Sequence, residues 1–276
     1  MSSQPMINGI PQMGFGTWER RGQACVETVL WAFEAGYRHI DTAFAYENER
    51  EVGQALRASG LARGDYFLTT KVPPERLAPG KVDETFSQSL DMLGLDYVDM
   101  LLCHWPSIGD EYDIAEYLGQ FAAIQASGRA KRIGVSNFTR RHVDQAVEVL
   151  GAEAITTNQC EIHVLMQNTV IAAHCRALGV PMTAYCPMGR GAFLDHPELA
   201  AIAVSHGATI GQIGLAFLLA EGHFVIPSSS SRERIAENFG ALEVRLSDAD
   251  MAAIRAMDEG RRLVDGAWAP EWDPAR

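Results

Sequence analysis

Residues 66–72 read Tyr66-Phe67-Leu68-Thr69-Thr70-Lys71-Val72, "YFLTTKV". Aromatic and β-branched residues suit a strand, and Pro73 and Pro74 end it because proline cannot donate to a ladder. Lys71 closes a run that otherwise reads as core. On a surface strand it would carry no cost. On a strand buried on both faces, its ammonium needs a partner and a task.

Seven more short apolar runs flank this one. They are "MGFGT" (13–17), "RHIDTA" (38–43), "YVDMLLCHW" (97–105), "AKRIGVSN" (130–137), "AITTNQCEI" (154–162), "VPMTAYCP" (180–187) and "HFVIPSS" (223–229). Segments with helical spacing separate them. Residues 24–35 put Val26, Val29, Leu30 and Phe33 on one stripe, and residues 82–93 do the same with Val82, Phe86, Leu90 and Leu93. Residues 115–126, 141–150, 167–178 and 209–220 behave similarly. Gly36, Gly94 and Gly179 stand where helices end, and Thr139 stands as an N-cap.

Eight strands alternating with helices predict a parallel sheet with right-handed crossovers. In 276 residues this favours an α/β fold of the closed (β/α)8 or TIM-barrel type over an open doubly wound sheet. No G-x-G-x-x-G follows any strand. The chain reads as one domain, 1–276, with a C-terminal tail from about 260 to 276 near the open face. Its glycine and prolines suggest a mobile segment.

Composition narrows the partners. Hydrophobic residues are 47% of the chain, enough for a large core, and charged residues are 21%. The net charge is −12 with no polybasic run, which argues against nucleic acid. The N-terminus has no basic segment leading into an apolar one, and no apolar run reaches membrane-spanning length. The five cysteines are odd in number, widely spaced and without a C-x-x-C pair, so they read as reduced thiols with no zinc site. These features predict a cytoplasmic protein without membrane partners. With no heptad and no evident apolar patch, a monomer is expected.

In a (β/α)8 barrel the strand C-termini converge on one open face. Asp41 ends the second strand, Lys71 the third and His104 the fourth, with Tyr46 five residues beyond Asp41. Taken singly, each has an ordinary reading: a cap, a snorkelling lysine, a core histidine, a packing tyrosine. Together on adjacent strand ends they form a candidate catalytic group. Burial would push Lys71 toward its neutral form, and Asp41 would restore the charge. A charged Lys71 beside Tyr46 would lower the phenol's pKa and make it a better general acid. His104 could orient a carbonyl by hydrogen bonding.

The motifs "DTAFAYENEREVGQAL" (41–56), "LTTKV" (68–72), "LLCHWPS" (101–107), "IGVSNF" (133–138), "TNQCEIH" (157–163), "AYCPMGRG" (184–191) and "VIPSSSSRERIAEN" (225–238) resemble those of the aldo-keto reductases, in order and over nearly the whole chain. Among that family the resemblance is to the bacterial 2,5-diketo-gluconate reductases of B type. It implies NADPH-dependent reduction of small aldehydes and ketones, 2,5-diketo-gluconate and methylglyoxal among them. It makes Tyr46 the proton donor, Lys71 and Asp41 its tuning pair, and His104 the group that orients the substrate.

The same resemblance implies a cofactor site. Ser136, Asn137 and Gln159 would bind the nicotinamide carboxamide, and Tyr185 would stack on the ring. Gly16, Thr17, Trp18, Pro187 and Met188 would flank the cofactor. Gly189, Arg190 and Gly191 would wrap the pyrophosphate. Ser228, Ser229, Arg234, Glu237 and Asn238 would hold the adenosine end, with Arg234 on the 2′-phosphate. Ser228 stands where the family pattern "IPKS" has a lysine, so NADH could also be accepted. The substrate pocket is expected from Trp18, Phe44, Ala45, Trp105 and Trp268, with Trp268 and Trp272 otherwise read as pinning the tail to the barrel. Two rival readings keep the barrel: a Schiff-base lyase or aldolase acting through a neutral Lys71, and a non-catalytic NADPH-binding subunit.

Overall fold

The computed structural model describes residues 4–276. Two short strands, β1 (Met6–Ile7) and β2 (Ile10–Pro11), form an antiparallel hairpin. Eight parallel strands follow: β3 (Phe15–Gly16), β4 (His39–Asp41), β5 (Phe67–Val72), β6 (Val98–Cys103), β7 (Ala130–Ser136), β8 (Ile155–Glu161), β9 (Met182–Tyr185) and β10 (Phe224–Val225). They pair in sequence order from β3 to β10. The two ends then meet. Met13 bridges Val225 in parallel, Gly14 N donates to Val225 O at 2.9 Å, and Gly16 N donates to Pro227 O at 3.0 Å. The sheet is a closed cylinder, as the eight runs predicted.

The helices cover its outside: α1 (Gly22–Ala35), α2 (Glu49–Ala58), α3 (Lys81–Leu93), α4 (Ile114–Ala126), α5 (Arg140–Leu150), α6 (Thr169–Leu178), α7 (Pro197–His206), α8 (Ile210–Ala220), α9 (Arg232–Phe239) and α10 (Asp248–Arg255). Strands sandwiched between helices and barrel interior bury both faces, which is why all six residues of β5 are buried. One apolar cluster lies between helices and strands. A smaller one, Ile10, Phe67, Met100, Leu102 and Phe224, lies apart from it, with Ile7 packed on it. The N-terminal hairpin supplies both isoleucines and so packs against this second cluster.

Several helices were not legible as stripes. α2 buries only a narrow strip, and its Gly53 meets α3 so closely that a Cβ there would fall 2.3 Å from Leu93 O. Gly36, Gly94 and Gly179 are left-handed helix ends, as expected. Thr139 occupies the N-cap of α5 but does not cap it with its side chain: its hydroxyl bonds His142 Nδ1 at 2.8 Å instead. The tail is not loose. Asp273 accepts from Arg140, Thr169 donates to Ala275 O, and Arg262 lies 3.7 Å over the Trp272 ring. Among the described residues no single helix is long and apolar enough to cross a membrane. All five cysteines are free thiols, with Cys103 and Cys160 buried.

Candidate active site

Three strand ends and one turn build the centre of the open face. Asp41 ends β4, Lys71 is the penultimate residue of β5, and His104 follows β6. Tyr46 closes a 3-10 turn, Phe44–Tyr46, above β4. Asn48 fixes that turn from behind: its Nδ2 donates to Thr17 O and Arg20 O, and its Oδ1 accepts from Thr42 Oγ1.

Lys71 is fully buried, and Nζ has a partner for each of its three protons. It donates to Asp41 Oδ1 at 2.5 Å, to Thr42 O at 2.8 Å and to Tyr46 Oη at 3.3 Å. Burial pulls its pKa down. The Asp41 carboxylate and the Tyr46 phenol pull harder the other way, so the net position lies above an ordinary lysine. Lys71 is a cation. The second Asp41 oxygen accepts from Gln159 Nε2 at 2.9 Å, which ties β8 into the same network.

The phenol lies the other way from the sequence expectation: its pKa is raised, not lowered. Burial raises the Tyr46 pKa, Lys71 lowers it and Asp41 raises it again, and the net position is above the ordinary tyrosine value. Lys71 limits a rise rather than producing a fall. The phenol is therefore proton-loaded at neutrality. Because its oxygen accepts from Lys71, its own hydrogen is free to point elsewhere. Burial, and after it Lys71, pushes His104 well below the usual imidazole range, so the ring is neutral and donates from one nitrogen only. The Tyr46 ring meets His104 edge-on at 5.7 Å and Trp18 at 4.9 Å.

Asp41, Tyr46 and His104 line a cleft of about 750 Å³, and Lys71 lies behind them, outside its lining. Its walls include Gly16, Trp18, Ala45, Tyr46, His104, Trp105, Asn137, Gln159, Tyr185, Pro187, Met188, Arg190, Ser228 and Trp268, all expected from the sequence. Phe44, Thr17, Ser136, Gly189, Ser229, Arg234, Glu237 and Asn238 do not line it. Phe44 instead lies 6.0 Å from the Arg76 guanidinium. Thr17 donates to Asp41 O, and Ser136 lies behind Asn137, donating to Gln159 O and accepting from Asn137 Nδ2. Gly189 packs on His163, and Ser229 accepts from Ser231 N. Arg234, Glu237 and Asn238 belong to α9, where Glu237 accepts from Thr209. The cleft also uses Glu19, Arg20, Pro73, Pro74, Glu75, Ile226 and Val264, which sequence reading did not single out. Their signal was position: most directly follow a strand end.

Trp105 meets Trp268 at 6.3 Å and Trp272 at 5.9 Å, both edge-on. Trp268 thus lines the cleft and also pins the tail, whereas Trp272 only pins it. Among the described residues no group of three or more His, Cys, Asp or Glu could hold a metal ion.

Glu49 is a buried carboxyl that sequence reading passed over. Its Oε1 accepts from Thr70 Oγ1 at 2.5 Å, and Oε2 has no partner. Burial pushes its pKa up to about 7, against the opposing pull of its hydrogen bonds and of Lys71. An acid raised on folding stabilises most below its unfolded pKa, and that contribution is lost as pH rises through about 7. Glu49→Gln should therefore raise stability at pH 8 by roughly 2–3 kcal/mol and leave it nearly unchanged at pH 4. Urea midpoints at the two pH values check this.

Comparison with known proteins agrees with the geometry. The aldo/keto reductase family model matches residues 6–259. The chain is 40% identical over 266 residues to methylglyoxal reductase DkgB of Yersinia pestis, covering 96% of this chain and 99% of that one. Among solved structures, a putative 2,5-diketo-D-gluconic acid reductase B superposes with a TM-score of 0.91 at 35% identity, covering 96% of this chain and 95% of that one. An aldo-keto reductase of Bombyx mori in complex with NADP gives 0.90 at 31% identity, covering 100% and 99%. The sequence motifs, the closed barrel and these likenesses agree: the chain belongs to the aldo/keto reductase family and is an oxidoreductase.

Proposed function

We propose that the chain reduces small aldehydes and ketones with NADPH, with Tyr46 giving the proton. The observation that carries this reading is a protonated phenol 3.3 Å from a caged lysine, at the floor of an aromatic-walled cleft.

The residues present fit the cofactor. Ser228 Oγ is buried in the cleft wall without a partner, an acceptor and donor left for a ligand. Gly189, Arg190 and Gly191 all have positive φ (52°, 50° and 88°), and Arg190 is exposed on the cleft. The Gly189 and Gly191 N–H groups are taken by Cys186 O and Met188 O inside that turn, so what it offers a pyrophosphate is the Arg190 guanidinium held at the cleft edge. The Tyr185 hydroxyl donates to Asn137 Oδ1 at 2.9 Å, so ring and amide form one platform for a flat carboxamide-bearing ring. Bound NADPH supplies the hydride.

The chain's own residues do the rest. His104, neutral, can donate to the carbonyl oxygen and fix its orientation. Tyr46 delivers its proton to that oxygen as negative charge develops there. The phenolate left behind is stabilised by the Lys71 cation, which Asp41 and Thr42 hold in place. Trp18, Trp105 and Trp268 give an apolar wall against the substrate's carbon skeleton. The DkgB relatives are named as methylglyoxal reductases, and we take methylglyoxal as the first substrate to test, with 2,5-diketo-D-gluconate second.

The imine reading fares poorly. A Schiff base needs a neutral amine, and Lys71 is a cation with all three protons engaged.

The cofactor preference should be shallow. Ser228 brings no charge, Arg232 is paired with Glu34 at 2.7 Å, and Ser231 caps α9. Arg232 is turned toward α1 and Ser231 carries no charge, so neither stands in for the missing lysine in this structure. A carbonyl panel run in parallel with NADPH and NADH tests the function: no turnover of any carbonyl with either cofactor would end it. In the same assay Ser228→Lys should raise the NADPH/NADH ratio of kcat/KM by about tenfold or more, the effect of one hydrogen bond to a charged group. An unchanged ratio would remove this account of position 228.

A further inference from the structure

Glu161, the last residue of β8, is fully buried, and nothing in the proposed reaction uses it. Its carboxylate is nonetheless well supplied with donors. Oε1 accepts from Leu263 N at 2.8 Å, Oε2 accepts from Val264 N at 2.9 Å, and His163 Nε2 stands 3.1 Å from Oε1. Two successive backbone N–H groups of the C-terminal tail therefore converge on one buried carboxylate about 100 residues earlier in the chain. Neighbouring bonds point the same way. Asn168 Nδ2 donates to the Glu161 carbonyl, and its Oδ1 accepts from Arg262, while Leu165 O accepts from Glu259 N and Arg261 N.

What this anchor holds is part of the cleft. Val264 is one of the two anchored residues, and Trp268 follows four residues later; both line the cleft. Trp268 is also half-exposed, so its place against Trp105 depends on where the tail enters the open face. Charge-assisted bonds to backbone amides fix that entry point more firmly than apolar contact alone would, because they are directional.

We infer that Glu161 is a positioning residue: its buried carboxylate straps Leu263 and Val264 to the end of β8, holds Val264 and Trp268 over the cleft, and thereby sets the affinity for the carbonyl substrate. This rests on the reductase reading for its kinetic part and on the hydrogen-bond geometry alone for its structural part. Glu161 touches no reacting atom in this scheme. Its loss should show in KM rather than in kcat.

Glu161→Gln keeps the volume but leaves one carbonyl oxygen for two amides. Hydrogen exchange read residue by residue in the full-length protein should show Leu263 and Val264 protected in the wild type and exchanging about tenfold faster or more in the variant. Trypsin should cut sooner after Arg262. KM for methylglyoxal should rise about five- to tenfold, with kcat and NADPH dissociation nearly unchanged. Leu263→Pro, which deletes one of the two donors and leaves the buried carboxylate in place, should do the same and serves if the Gln variant does not fold. Two results overturn the inference. One is unprotected 263 and 264 amides in the wild type. The other is faster exchange in either variant with no change in KM. If the wild type reduces no carbonyl, the reductase reading fails by itself, and the strap is then decided by exchange and proteolysis.

Discussion

Tyr46→Phe should lower kcat for aldehyde reduction by about 10²–10⁴, the range of a general acid's contribution, with NADPH affinity nearly unchanged. The substitution removes one oxygen and keeps the ring that packs on Trp18 and His104. Only the proton source and the Lys71 acceptor are lost. The measurement is single-turnover reduction of methylglyoxal with saturating NADPH, beside a direct titration of the cofactor. Retained turnover would move the proton donor elsewhere and leave Tyr46 as a packing residue. The raised phenol pKa adds a second expectation. Tyr46 stays protonated through the neutral range, so acidification from pH 8 to pH 6 should not load the donor further.

The ion pair beneath Tyr46 should produce the largest stability effect. Lys71 and Asp41 are 0% and 1% exposed in their side chains, at 2.5 Å. Asp41→Leu leaves an ammonium buried with only Thr42 O and the phenol as partners. Stranding one member of a buried pair costs about 3–5 kcal/mol, roughly 10 °C in Tm for a domain of this size. The double variant Asp41→Leu/Lys71→Met should regain most of that loss, since an apolar pair of similar volume avoids the desolvation penalty. It should not regain activity. A raised lysine pKa contributes stability below its unfolded value and loses it only as pH climbs through the folded one. In the single variant the carboxylate that raised the lysine is gone, so burial pulls the ammonium's pKa down and the deficit should be largest at low pH and shrink as pH rises above the variant's folded lysine pKa. Urea unfolding of wild type, both single variants and the double checks the cycle. If the double is no more stable than Asp41→Leu, the two residues are not coupled.

The barrel was legible because its strands are buried on both faces and so appear as unbroken apolar runs, β5 most plainly. The four central side chains were legible because a closed barrel sends strand ends to one face. What escaped had physical reasons. β1 and β2 are two residues each, too short for any period. α2 carries "EREVGQALRA", with few apolar positions; Val52, Ala55 and Leu56 join the main core, and the helix packs on α1 as well as on α3, which it meets at Gly53. The Tyr46 pKa went the wrong way because its sign depends on depth of burial, which sequence does not report. Gln159 and Glu161 sit in the "TNQCEIH" motif, yet their partners, Asp41 and the 263–264 amides, lie about 100 residues away. Long-range hydrogen bonds of this kind leave no local pattern.

The cylinder is not equally strong all round. β3 and β10, the staves that meet to complete it, are the shortest of the eight: each pairs two residues with β4 or β9, and one bridge, Met13 to Val225, joins the two ends. Gly16 on one side of that joint, and Ile226 and Ser228 on the other, are walls of the same cleft. A ligand that touches both strand ends would tie this joint together, so its binding should slow local opening of the barrel there first, read as added amide protection at residues 14–16 and 225–227.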